Sequence, residues 1–284
     1  MASRLSHLAL VATCALILAA PSAAITGGAY DGNAHPYVGI WSNGAGVCSG
    51  TLLSPTVMLT VAHCAAGMPS RYGNNTVTGA PIVQVSFDPN VANTPPADRI
   101  FSYGTFYADA YNPNLPSNAP DPDTHDLAII VFDSTGCAVC SPVPAGVTLG
   151  QYGSLPSRNV VDTLAMNTPV DIVGFGVQDL TRGGGKPQPD GASSRTRISA
   201  VSTLITANDK TSTRFVKLHQ NKGGVCFGDS GGPDLYGGSS TVLAVNSYTA
   251  PNDICAGVAY SYRVDTPSAL AWIASTAAKY GASL

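Results

Sequence analysis

Hydrophobic residues in this chain come in short runs, and Gly, Pro and Asn clusters separate them. Strand-like runs occupy 48–53, 57–61, 82–87 and 127–132. A second set begins near Val160 and covers 170–173, 197–204, 214–218, 242–245 and 259–264. Runs of four to eight apolar or β-branched residues bounded by turn formers predict strands. The last segment differs: 266–279 opens on Thr-Pro and continues in Ala, Leu and Ile, which predicts a helix. The pattern predicts an all-β protein of two β-subdomains closed by one C-terminal helix. Residues 112–123 and 181–194 are too dense in Pro, Asn and Gly for regular structure, and both are expected to be solvated loops. Asp121, Asp123 and Asp126 lie close together, but the glycine and distal carboxylate of an EF-hand are missing.

The N-terminus adds a targeting signal. Arg4 and His7 precede an apolar run over 8–20 and then Ser22-Ala23-Ala24, the layout of a secretory signal peptide. The run is shorter than the roughly 20 residues that span a bilayer. Residues 1–24 are therefore expected to be removed, leaving 25–284 secreted, with no membrane span after processing and Ile25 as the new N-terminus. Loss of Cys14 leaves Cys48, Cys64, Cys137, Cys140, Cys226 and Cys255, an even set suited to disulfides outside the cell. Cys137-Ala-Val-Cys140 could form half of a zinc site, but no second close pair completes it, and no metal is expected. A formal net charge of -3 with scattered Lys and Arg provides no stripe for nucleic acid.

Three segments carry chemistry. Cys226-Phe227-Gly228-Asp229-Ser230-Gly231-Gly232-Pro233 puts a serine on a glycine-rich turn, where backbone N–H groups of Gly228 and Ser230 can converge on a developing oxyanion. Leu59-Thr60-Val61-Ala62-His63-Cys64 ends an apolar strand on a histidine, and a serine needs such a neutral imidazole to take its proton. His125-Asp126-Leu127-Ala128-Ile129-Ile130 begins an apolar strand just after an acid that can fix the imidazole tautomer and stabilise its cation. His35, His125 and His219 lack a comparable setting and are read as structural.

In their order His, Asp, Ser, these segments resemble the chymotrypsin/trypsin family of endopeptidases. The resemblance runs over essentially the whole mature chain, taking in Ile25-Thr26-Gly27-Gly28, Ser49-Gly50-Thr51-Leu52-Leu53 and Gly174-Phe175-Gly176. It implies two packed six-stranded antiparallel barrels, the first over about 25–145 and the second, with the helix, over about 146–284. The active site would lie between them, with His63, Asp126 and Ser230 as triad and no cofactor. Cys48–Cys64 and Cys226–Cys255 bridges are implied, leaving Cys137 and Cys140 for one another or as free thiols. The chain departs from the vertebrate pattern in having no cysteine pair between Gly176 and Val225.

The resemblance also assigns substrate handling. A new Ile25 ammonium would pair with Asp229. Gly224, six positions before the nucleophile, would floor the specificity pocket, with Val225, Ser247, Thr249 and Ala259 around it and Asn246 or Ser247 where a histidine would bind an acidic side chain. None of these is charged, and burying an unpaired charge is expensive, so cleavage after uncharged apolar residues is expected. Polypeptide substrates and protein protease inhibitors are the implied partners. A catalytically weak binding protein on the same fold is the alternative, and its usual mark, loss of a triad residue or of the oxyanion glycines, is absent here.

Overall fold

A computed structural model of the chain describes residues 25–114, 123–147, 149–181, 188–190, 195–206, 213–220, 224–249 and 255–284. The expected signal peptide lies outside the described residues, as do most of the loop over 112–123 and much of that over 181–194.

The chain runs β1 (Ala29–Tyr30), β2 (Val38–Ser42), β3 (Cys48–Ser54), β4 (Val57–Thr60), β5 (Ile82–Ser86), β6 (Ser102–Ala108) and β7 (Ala128–Val131). Strands β2 to β7 close a six-stranded barrel in the order β2-β3-β4-β7-β6-β5. A short 3-10 helix (Val160–Thr163) leads to β8 (Pro169–Gly174), β9 (Leu180–Thr181), β10 (Gln188–Pro189), β11 (Ile198–Thr206), β12 (Phe215–His219), β13 (Pro233–Tyr236), β14 (Val242–Thr249), β15 (Val258–Arg263) and α1 (Pro267–Lys279). The second barrel follows the order β11-β12-β15-β14-β13-β8, with β8 pairing back to β11 and β1 added along β11. Closure removes the free edges that an open sheet would present. Over the described residues the fold is therefore two six-stranded antiparallel barrels with a C-terminal α-helix, as expected. Where a solvated loop was expected over 181–194, the short strands β9 and β10 pair antiparallel.

One apolar cluster spans both barrels, joining Val38, Leu52 and Ile129 of the first to Val173, Leu235 and Val245 of the second. Arg197 adds a polar bolt. It is fully buried, and it donates to Asp31 at 3.0 Å and to the carbonyls of Val38 at 2.8 Å and Phe87 at 3.3 Å in the first barrel. A buried guanidinium is tolerated because these acceptors replace its water.

Helix α1 buries Ala269, Ile273 and Ala277, one side chain every four residues, in that same cluster. Thr266 caps it, its hydroxyl accepting from the Ala269 N–H at 3.2 Å, while Pro267 occupies a position where its missing N–H has no helical partner to lose. Thr266→Ala is expected to lower stability by about 1 kcal/mol. In a domain of this size that is roughly 2–4 °C in the thermal midpoint, measurable by circular dichroism.

Candidate active site

Strand register brings two of the three residues together. Strands β4 and β7 are antiparallel neighbours with Thr60 opposite Ala128. His63 follows Thr60 and Asp126 precedes Ala128, so both leave the first barrel at the same end of adjacent strands. His63 Nδ1 lies 2.9 Å from Asp126 Oδ2, and the His63 N–H donates to Asp126 Oδ1 at 2.9 Å. Asp126 is 2 % exposed. Burial works against its charge, but the His63 ring, the Ser247 hydroxyl and the His63 N–H outweigh burial and hold the carboxyl below its ordinary pKa. The site thus keeps an anion where an imidazolium would need one.

Ser247 was expected as a pocket wall. It lines the cleft, but its hydroxyl donates to Asp126 Oδ2, making it a second anchor of the carboxylate. Nothing local in Asn246-Ser247-Tyr248 announces this bond, since its partner lies 121 positions away.

The third residue comes from the second barrel. Ser230 stands just before β13, on a turn fixed by the Gly231 N–H to the Asn246 carbonyl at 2.8 Å and the Asn246 N–H to the Gly232 carbonyl at 2.9 Å. Ser49 of β3 fastens that turn to the first barrel: its N–H donates to the Ser230 carbonyl at 2.8 Å and its hydroxyl to the Gly228 carbonyl at 2.9 Å. Gly228 has φ +99°, a conformation that a side chain rarely allows. Among the described residues, neither the Gly228 nor the Ser230 N–H is spent on an intramolecular acceptor. Ser230 and His63 line one cleft of about 400 Å³, and no hydrogen bond joins them there. In free enzymes this contact is often long and tightens only with substrate.

The expected pocket residues separate into two groups. Val225, Ser247 and Thr249 line the cleft, together with Asn246, Phe227, Tyr248 and the Cys226–Cys255 bridge. Gly224 and Ala259 do not line it. The Gly224 backbone is engaged by Thr26, and Gln220 packs so closely that a Cβ on Gly224 would lie 2.4 Å from Gln220 Cγ. Ala259 is buried in the second core beside Ile25 and Val225. Asn246 is 1 % exposed, with its Nδ2 unpartnered among the described residues and its Oδ1 accepting from Ser261 at 3.4 Å. Behind it, burial pushes the Asp234 carboxyl up to about 7, only partly offset by Ser261.

Asp229 is also fully buried. Its two oxygens accept from the N–H groups of Gly176 at 2.7 Å and Cys226 at 2.9 Å. Burial still pushes its pKa up to about 7, with those two N–H groups pulling the other way. Gly174 and Gly176 wrap it so tightly that a Cβ on either would lie 2.1 Å and 2.6 Å from its carboxylate. That close approach explains both glycines of the Gly174-Phe175-Gly176 segment. Ile25 is completely buried in the second core, and the following Thr26 N–H donates to the Gly224 carbonyl at 3.0 Å.

Three disulfides are present: Cys48–Cys64 beside His63, Cys226–Cys255 beside Ser230, and Cys137–Cys140. The last settles the pairing that was open in the sequence. Among the described residues no cluster of three or more His, Cys, Asp or Glu could hold a metal ion, and no helix is long and apolar enough to cross a membrane.

Solved structures share this architecture. Human heparin binding protein aligns with a TM-score of 0.56 at 20% identity, covering 84% of this chain and 91% of that one. HL collagenase aligns with a TM-score of 0.57 at 18% identity, covering 90% and 98%. At such identities the likeness speaks for the fold alone, and the two names carry different activities. The sequence itself supplies the lineage: the family model described as Trypsin matches residues 24–273, across both barrels and the whole cleft between them, so this chain belongs to the trypsin family.

Proposed function

We propose that the protein is a secreted serine endopeptidase with His63, Asp126 and Ser230 as its catalytic triad. The observation that carries this reading is the chain of contacts Ser247–Asp126–His63, directed into the cleft that Ser230 also lines. A neutral His63 takes the Ser230 proton as the hydroxyl oxygen attacks the scissile carbonyl, and the oxyanion is met by the N–H groups of Gly228 and Ser230. The imidazolium, balanced by Asp126, then gives its proton to the leaving amine. Water, activated by the same imidazole, releases the acyl group and restores Ser230. Extended polypeptides are the substrates, and protein inhibitors that occupy the same cleft are the natural competitors.

Removal of residues 1–24 at export would give Ile25 an α-ammonium. Among the described residues no cation pairs with Asp229, and that ammonium is the one the reading assigns to it. Secretion accords with the three disulfides, which persist in oxidising compartments. N-terminal sequencing of the exported protein is expected to begin Ile-Thr-Gly-Gly. Another start in a fully active enzyme would remove the pairing.

The cleft's described lining is uncharged apart from what His63 can acquire, and Val225, Phe227, Tyr248 and the Cys226–Cys255 bridge supply apolar surface. Cleavage is expected after uncharged apolar residues. Two measurements test the reading: a fluorophosphonate probe should label the exported protein at Ser230, and a peptide library should be cut mainly after aliphatic or aromatic residues. Absence of labelling would discard the peptidase. Dominant cleavage after Arg or Lys would discard the specificity.

A further inference from the structure

Thr26 makes contacts that its place in the N-terminal segment does not require. Its backbone N–H donates to the Gly224 carbonyl at 3.0 Å, which any non-proline residue could do. The side chain adds more. Thr26 Oγ1 accepts from the Gly224 N–H at 3.2 Å and lies 3.3 Å from the Cys255 carbonyl and 3.4 Å from the Gly224 carbonyl. A hydroxyl has one proton, and the Gly224 carbonyl already has a donor in the Thr26 N–H, so the proton is best used by Cys255. The hydroxyl then bridges the Gly224 N–H on one chain segment to the Cys255 carbonyl on another.

One end of this bridge, Cys255, lines the substrate cleft, and the other, Gly224, adjoins it. Gly224 directly precedes Val225, and Cys255 is bonded to Cys226. Val225, Cys226 and Cys255 all line the cleft with Ser230. Cys255 also has a φ of +53°, a left-handed conformation uncommon for a residue with a side chain. An outside hydrogen bond to its carbonyl helps hold that turn in place.

We propose that Thr26 is a positioning residue for substrate specificity, its hydroxyl tying the backbone just ahead of Val225 to Cys255 and so fixing the two lining segments of the pocket that receives the side chain before the scissile bond. The inference rests on the peptidase reading. Thr26→Val keeps the shape and the backbone hydrogen bond but removes both contacts of the hydroxyl, whereas Thr26→Ser restores them.

The test compares the best-cleaved library peptide with its counterpart carrying glycine before the scissile bond, and follows fluorophosphonate labelling in parallel. Thr26→Val is expected to raise KM for the preferred peptide about tenfold, the effect of leaving buried polar groups unpaired. Its kcat, its cleavage of the glycine peptide and its labelling rate should stay within about threefold, because His63, Asp126 and Ser230 are untouched. Thr26→Ser should behave as the unmodified enzyme. Thr26→Ala, which removes the hydroxyl without adding bulk, serves if the valine variant fails to fold. An unchanged KM, a parallel fall in labelling, or a serine variant as impaired as valine would each overturn the assignment. An unmodified protein that does not label at all would instead sink the peptidase reading, and this inference with it.

Discussion

Ser230→Ala is expected to fold, form its three disulfides and be exported, yet to lose peptide cleavage by about four to six orders of magnitude and all reaction with fluorophosphonates. The size follows from the cooperation within the site. On the proposed mechanism His63 would have no proton to take once the hydroxyl is gone, and Asp126 no imidazolium to stabilise, so removing Ser230 would silence all three. The structure gives little reason for a folding defect. The Ser230 carbonyl receives the Ser49 N–H and the turn is closed through Gly231 and Gly232, all backbone contacts that alanine preserves. Kinetics on purified protein, with a thermal midpoint as control, will check this. Activity near the unmodified level would mean that another residue is the nucleophile.

A protein beginning at Ala24 instead of Ile25 is the second large effect. On the proposed pairing, the extra residue would move the ammonium away and leave Asp229 buried with, among the described residues, two N–H partners. An uncompensated buried charge costs about 3–5 kcal/mol, so kcat/KM is expected to fall roughly 10²–10³-fold as the turn carrying Gly228 and Ser230 loses its fixed geometry. The loss should depend on pH with a definite sign. Without a countercharge the folded Asp229 titrates at about 7, above its unfolded value of 3.8, so the folded state holds the extra proton between those limits. Stability of the extended protein should therefore decline as pH rises from about 4 to about 7, by on the order of 4 kcal/mol over the whole range. The protein starting at Ile25 should lack that part of the decline, because on the proposed pairing its ammonium would favour the carboxylate. Asp229→Asn in the extended background should remove it too. Denaturant unfolding at pH 5 and pH 8 separates these cases. Equal stability and full activity with the extended start would show that Asp229 needs no partner from the N-terminus.

Much of this was written locally in the chain. A histidine ending one apolar strand, an aspartate opening another and a serine among glycines are short-range features, each constrained by the backbone on either side. The strands around them were legible for the same reason, because four to six consecutive buried residues such as Val57–Thr60 or Ala128–Val131 leave a plain apolar run. Strands β2, β6 and β13 were not. Val-Gly-Ile-Trp-Ser is interrupted by a glycine, Ser-Tyr-Gly-Thr-Phe-Tyr-Ala mixes polar and apolar residues, and Pro-Asp-Leu-Tyr opens on a proline and a buried acid, so their burial is imposed by barrel neighbours and not advertised by composition. The tertiary structure alone decided what depends on distant partners. Ser247 became an anchor of Asp126, Ser49 a fastening for the turn that carries Ser230, and Thr26 a bridge between Gly224 and Cys255. Gly224, assigned to the pocket floor by the family resemblance, is absent from the cleft lining and has Gln220 and Thr26 packed against it. A side chain's hydrogen-bond partner is set by which strands the barrels bring together, and register across two closed sheets joins residues more than a hundred positions apart.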